Sequence, residues 1–180
     1  NVLIKNVIPK HLEPITSKLE KAGATIEEFD DSLRVYRTGD LEPLNIKTMP
    51  HPGFPTDMQP LMTVLLTLAK GTSIITEGIW ENRFRYVDEL TRMGANIQVD
   101  GRVAVIEGVQ ELLPAPMRAA DLRAGAALVV AALAADGVSE VDEICHIERG
   151  YEDIVEKLRG LGADIKRVEK PAGVLRQAAL

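Results

Sequence analysis

Asp57, in the stretch "KTMPHPGFPTDMQP", and Arg83, Arg123 and Arg149, in "WENRFRY", "ADLRAGA" and "HIERGYE", are residues whose types could do chemistry together. A guanidinium keeps its charge and can form two parallel hydrogen bonds to a carboxylate or phosphate, so a group of arginines suits a substrate that carries both. A carboxylate held beside them can take a proton from a substrate hydroxyl. The chain ahead of Asp57 is suited to holding it still, since Pro50, Pro52 and Pro55 fix φ and lack an N–H, while Gly53 admits an unusual bend. Asp121, two residues before Arg123, is the second candidate acid.

Each has a plainer reading. Asp57 follows Thr56 at the start of an apolar run and could simply cap a helix; Asp121 is read first as a cap or as the ion-pair partner of an arginine. A single arginine near a helix start is ordinarily a surface ion pair, and only recurrence at equivalent places argues otherwise. His51 and His146 are isolated and read as structural, and His11 sits at an ordinary helix start. Cys145, within a β-like run, reads as a small buried hydrophobe, and Trp80 and Phe84 read as core aromatics that could also line a pocket.

Recurrence comes from an internal repeat. Aligning "KLEKAGATI", "ELTRMGANI" and "KLRGLGADI" superposes Gly23, Gly94 and Gly162. Apolar residues at helical spacing precede each glycine: Leu12, Ile15 and Leu19; Val87, Leu90 and Met93; Ile154, Leu158 and Leu161. The glycine is expected to be a left-handed helix cap, with a strand opening at Ile26, Ile97 or Ile165. In the second copy Asp100-Gly101 is expected to turn a hairpin. Upstream, "MQPLMTVLLTLAKG" and "LRAGAALVVAALAADG" read as helices apolar on nearly every face, hence surrounded by protein, followed by strands in "TSIITEGI" and "VSEVDEICHI". The unit is helix, strand, helix, strand, strand, an α/β architecture with buried helices inside and sheets outside. The acids precede the buried helices, and Arg83 and Arg149 sit where a strand gives way to an amphipathic helix. Equivalent points of a repeat share a face, and helix N-termini there would add positive potential.

The first copy has no buried helix before "NVLIKNV", so the expectation is of a domain over residues 1–170 whose first unit is truncated, with 171–180 as a tail. A net charge of -6 without a continuous cationic stripe argues against nucleic acid and acidic lipid. One cysteine excludes an internal disulfide, no Cys/His spacing suggests a metal, and the longest apolar runs fall short of the roughly 20 residues that span a bilayer. A cytoplasmic protein without metal or cofactor and without membrane insertion is expected.

"HPGFPTDMQ", "ENRF", "DLRAGAALV" and "RGYEDIVEKLRGLGADI" occur in the order and at the spacing of the UDP-N-acetylglucosamine 1-carboxyvinyltransferase family, and up to Val168 the chain resembles the C-terminal half of these enolpyruvyl transferases. The resemblance implies an inside-out α/β barrel and transfer of the enolpyruvyl group of phosphoenolpyruvate to the 3'-hydroxyl of UDP-N-acetylglucosamine, at the start of peptidoglycan synthesis. Asp57 would bind the sugar and act as general base. Ile79 would contact the UDP-sugar through its backbone, with Trp80 beside it where the family usually has phenylalanine. Arg123 and Arg149 would hold phosphoenolpyruvate, Asp121 would position Arg123, and Arg83 would support the sugar nucleotide. The family's reactive cysteine lies on a loop of the other domain, a context that Cys145 does not match, so the N-terminal half is the expected partner and the chain alone is expected to be inactive. Rival readings are a non-catalytic UDP-sugar-binding or scaffold module of the same fold, and enolpyruvylshikimate-phosphate synthase.

Overall fold

In the computed structural model, which describes residues 1–169, the chain runs through three related units; the expected tail 171–180 lies outside the described residues. The first contains β1 (Val2–Lys5), α1 (Pro9–Lys21), β2 (Thr25–Glu28) and β3 (Ser32–Tyr36). The second contains β4 (Asn45–Lys47), a 3-10 turn at Thr56–Met58, α2 (Gln59–Leu66), β5 (Thr72–Thr76), α3 (Val87–Arg92), β6 (Asn96–Asp100) and β7 (Val103–Glu107). The third contains β8 (Pro116–Arg118), α4 (Leu122–Ala134), β9 (Glu140–Asp142), α5 (Cys145–Glu148) and α6 (Ile154–Gly160).

The repeat is visible in the hydrogen bonds that end α1, α3 and α6. Gly23, Gly94 and Gly162 have φ of +97°, +86° and +95°. In each case the glycine N–H bonds to the carbonyl three residues back, and the N–H of the following alanine to the carbonyl five residues back. This double closure needs a left-handed residue, which is strained for a side chain with Cβ and unstrained for glycine.

Each buried helix connects two parallel strands. The chain passes from β4 through α2 to β5, and from β8 through α4 to β9. The second sheet has the order β4-β5-β7-β6, and the first, β1-β3-β2, repeats that order without the leading strand. The three-residue strands β4 and β8 add an element to the unit expected from sequence.

α2 and α4 pack against each other at the centre. Met62, Val64 and Leu66 of α2 meet Ala124, Ala127, Leu128 and Ala131 of α4, with Ile75, Ala104 and Ile106 from the sheet and Leu90 and Met93 from α3 around them. A second cluster on another face of α4 joins Val129 to Ile147, Ile154 and Leu158. Full burial of a leucine such as Leu66 or Leu128 contributes about 2 kcal/mol. The small residues of α4 allow close approach: a Cβ on Gly125 would lie 2.6 Å from Ile147 Cγ1. Toward its C-terminal end α4 leaves Val130 and Leu133 exposed, so its burial is less complete than its apolar sequence suggests.

Several local expectations are corrected. The hairpin between β6 and β7 turns at Gly101-Arg102, one residue later than expected, because Asp100 still pairs with Val103; only Gly101 of the two has a positive φ, +55°. Ile165 lies in irregular chain. Where β2 and β6 each have a hairpin mate, no described segment pairs with the residues around Ile165 to satisfy their backbone groups. In "VSEVDEICHI" the strand stops at Asp142, since Glu143 adopts φ +60° and cannot continue a ladder; Cys145 and His146 are helical, and Cys145 is exposed rather than buried. Phe84 is in the core as expected, whereas Trp80 is 59% exposed.

After β7 the chain approaches the turn beyond α2 so closely that a Cβ on Gly108 would lie 1.6 Å from the carbonyl oxygen of Ala69. Gly108→Ala must therefore displace backbone, and a loss of about 3 kcal/mol is expected, read as a lower urea midpoint at unchanged slope.

Candidate functional site

The loop between β4 and α2 is closed on itself at its base. Thr48 and Phe54 form an isolated bridge, the Met49 N–H bonds to the Phe54 carbonyl at 3.0 Å, and the Gly53 N–H bonds to the Pro50 carbonyl at 2.8 Å. Phe54 is buried and anchors the loop on the core. The chain then enters the 3-10 turn through Pro55, and Asp57 projects from it with its side chain 54% exposed.

Asp57 makes no side-chain cap to either the 3-10 turn or α2. Its carboxylate instead bridges two arginines: Oδ1 lies 3.4 Å from Arg83 Nη2 and Oδ2 lies 3.0 Å from Arg123 Nη2. Arg83 comes from the turn before α3, immediately after Asn82, whose φ of +53° bends the chain sharply. Its Nε is buried and has no hydrogen-bond partner among the described residues. Arg123 comes from the first turn of α4. Its Nη1 donates to the Tyr151 hydroxyl at 3.2 Å, and its guanidinium stands 5.5 Å from the Tyr151 ring centroid. The hydrogen bond to Tyr151 is the largest influence holding Arg123 in its charged form, and Asp57 adds to it against partial desolvation.

Asp121 is the N-cap of α4. One carboxylate oxygen accepts from the N–H groups of Arg123 and Ala124, both at 2.8 Å. It orients Arg123 through the backbone rather than through the guanidinium. It also occupies the helix N-terminus, so the free positive pole expected there is already met by a carboxylate.

The remaining expected residues are placed less tightly. Arg149 is exposed at the end of α5 and makes no hydrogen bond or ion pair that joins it to the Asp57 cluster among the described residues. Its loop is nonetheless held beside α4: a Cβ on Gly150 would lie 2.9 Å from Leu122 Cδ2, and Tyr151 meets Arg123. The N–H groups of Ile79 and Trp80 are both engaged internally, donating to Glu77 Oε1 at 2.9 Å and 3.1 Å. The structure thus brings Asp57, Arg83, Arg123 and, through its backbone bonds, Asp121 together.

Sequence reasoning gave no role to Tyr151 or Glu77. Tyr151 sits inside "RGYED", where an aromatic two residues after Arg149 was the available signal. Glu77 shares the buried face of the β5 segment with Ser73 and Ile75, so an acid at an inward position of a strand alternation was the signal for it.

Two other features lie apart from this cluster. A cavity of about 520 Å³ between α1 and the β4–β5 edge is lined by Lys18, Ile46, Met49 and Phe54, and by neither the site acids nor the site arginines. Glu143, Cys145 and His146 bring ligand-type atoms within 4.8 Å of one another, but Glu143 is paired with Arg118 at 2.8 Å.

A family model described as EPSP synthase (3-phosphoshikimate 1-carboxyvinyltransferase) matches residues 1–158. UDP-N-acetylglucosamine 1-carboxyvinyltransferase 3 of Caldanaerobacter subterraneus subsp. tengcongensis is 56% identical over 170 residues, which are 94% of this chain and 41% of that protein. UDP-N-acetylglucosamine 1-carboxyvinyltransferase of Desulfofundulus thermocisternus is 56% identical over 167 residues, 93% of this chain and 69% of the relative. The solved enolpyruvyl transferase NikO from Streptomyces tendae superposes with a TM-score of 0.84 at 33% identity, covering 91% of this chain and 39% of that one. An EPSP synthase from Acinetobacter baumannii shares the fold at 22% identity and a TM-score of 0.63. The chain therefore spans well under half of the first relative's length.

Proposed function

The chain belongs to the EPSP synthase family, and from that premise we propose that it supplies the C-terminal half of the active cleft of a UDP-N-acetylglucosamine 1-carboxyvinyltransferase. In this reading residues 1–170 are the catalytic-half domain and 171–180 a tail. The reaction joins the 3'-oxygen of UDP-N-acetylglucosamine to C2 of phosphoenolpyruvate and releases phosphate, and it opens peptidoglycan synthesis in the cytoplasm. The observation that carries the reading is a half-exposed carboxylate bridged by arginines from two successive units, in a chain 56% identical to proteins bearing that name.

The chemistry follows from the residues. The hydroxyl must lose a proton as its oxygen bonds to C2, the methylene must gain one, and the resulting adduct must lose a C3 proton and phosphate. Asp57 takes the hydroxyl proton. Arg123, held in place beforehand by Tyr151 and Asp57, and the exposed Arg149 neutralise the phosphate and carboxylate of phosphoenolpyruvate. Arg83, whose Nη2 already reaches Asp57, holds the sugar nucleotide. The backbone around Ile79 and the exposed Trp80 form the sugar-nucleotide side. The proton for the methylene comes from the rest of the enzyme, the partner of this half. No metal or cofactor enters the scheme, and no helix among the described residues is long and apolar enough to cross a membrane.

The test is phosphate release from phosphoenolpyruvate with UDP-N-acetylglucosamine, comparing the chain alone with the chain extended by the portion it does not cover in its relatives. Turnover is expected only for the extended protein. Turnover by the chain alone would overturn the shared cleft, and absence of turnover in both would overturn the assigned reaction.

A further inference from the structure

One buried carboxylate lies beneath the loop that carries Asp57. Glu77 is 1% exposed. Its Oε1 accepts from the Thr48 hydroxyl at 2.8 Å, the Ile79 N–H at 2.9 Å and the Trp80 N–H at 3.1 Å, and its Oε2 accepts from the Thr56 hydroxyl at 3.0 Å. Thr48 Oγ1 in turn accepts from the Gly78 N–H at 2.7 Å. The backbone N–H groups of Ile79 and Trp80 and the hydroxyls of Thr48 and Thr56 thus occupy both carboxylate oxygens. Hydroxyls and amides, rather than a cation, hold it in place.

The connectivity matters more than the number of bonds. Thr48 and Thr56 are the two ends of the proline loop, and Thr56 is the residue before Asp57. Ile79 and Trp80 form the turn across from them. A single carboxylate thus ties the start of the loop, the turn bearing Asp57 and the Ile79–Trp80 backbone to one point. Simple packing could be met by an apolar side chain with no polar group to desolvate, so a buried carboxyl group here makes sense as a device for fixing relative position.

We propose that Glu77 is a positioning residue that sets Asp57 and the Ile79–Trp80 backbone relative to each other for enolpyruvyl transfer. The proposal rests on the reading of Asp57 as the general base. Glu77 touches no reacting atom; it acts through Thr56 on one side and through the two amides on the other.

Three variants of the extended protein separate this role from simple support of the fold. Thr56→Val removes only the tie beside Asp57 and keeps the side-chain shape. Glu77→Ala removes all four bonds. Glu77→Gln can keep its oxygen toward Thr48, Ile79 and Trp80 and turn its amide toward Thr56, whose hydroxyl can accept instead of donate. Per folded molecule, kcat should fall on the order of 10-fold for Thr56→Val and on the order of 100-fold for Glu77→Ala, with most of it restored in Glu77→Gln. In an Asp57→Asn background Thr56→Val should have no further effect, since the group it positions is gone.

A merely structural Glu77 would lower the melting temperature and the folded fraction while leaving kcat per folded molecule unchanged, or would lower it by the same factor with and without Asp57. Either result overturns the proposal. Should Glu77→Ala fail to fold, Thr56→Val and its cycle with Asp57 decide the matter. If the unmodified protein turns over while Thr56→Val matches it in both backgrounds, the role of Glu77 falls alone. If the unmodified protein releases no phosphate, the reading of Asp57 falls and takes this one with it.

Discussion

Asp57→Asn in the extended protein should lower kcat for phosphate release by about 10² to 10⁴, the range that a positioned general base contributes. The substitution keeps the shape and removes the basic oxygen. Both ion pairs of Asp57 are partly open to water, with the side chain 54% exposed, so their loss should shift the unfolding free energy by no more than about 1 kcal/mol. Binding of UDP-N-acetylglucosamine in the absence of phosphoenolpyruvate should persist, because Arg83 and the Ile79–Trp80 turn remain. The decisive comparison is kcat against urea midpoint. A protein that unfolds readily yet keeps its specific activity would show that Asp57 serves the loop and not the reaction.

Arg123→Lys should be nearly as damaging although it preserves the charge. The guanidinium reaches Tyr151 with one nitrogen and Asp57 with another, and stands over the tyrosine ring. An ammonium is a point donor on a flexible stem and cannot span these positions while holding a phosphate oxygen. A fall in kcat/KM for phosphoenolpyruvate of about 10² to 10³ is expected, comparable to removing a preorganised donor from an anionic transition state. Melting temperature should hardly change. Activity within a few-fold of the unmodified protein would mean that charge alone suffices at this position, and that the forked geometry is incidental.

How much of this was readable beforehand divides along physical lines. The helix caps were readable because a left-handed backbone position demands glycine, and the demand recurs at Gly23, Gly94 and Gly162. The central helices were readable because an apolar run with hardly any polar face must be largely surrounded by protein, although α4 still leaves Val130 and Leu133 exposed. β4 and β8 were not, since three residues carry no period, and their pairing is made by backbone groups common to every sequence. Ile165 was read as opening a strand because its local sequence matches Ile26 and Ile97, but a strand exists only with a neighbour. Cys145 was misplaced because a single left-handed residue, Glu143, redirects the chain before it.

The candidate site shows the same division. Its charged members announced themselves by type and by repeat position. Whether Asp57 caps a helix or bridges two arginines was undecided in the sequence, since both roles ask for an aspartate at that place, and the choice depends on where units far apart in the chain bring their side chains. Glu77 and Tyr151 were overlooked because each looks ordinary in its own segment and gains meaning only from partners across the fold.

The packing of α2 against α4 sets the order in which the molecule can come together. Between these helices the chain must lay down β5, α3, β6, β7 and β8, so the central contact is among the most distant along the sequence and is expected to form late. Until then Met62, Val64 and Leu66 have only the sheet and α3 around them and lack the α4 side of their packing, and a growing chain would present that side to its surroundings. The feature that gives the finished molecule its core is also the one that leaves the unfinished molecule most exposed to self-association.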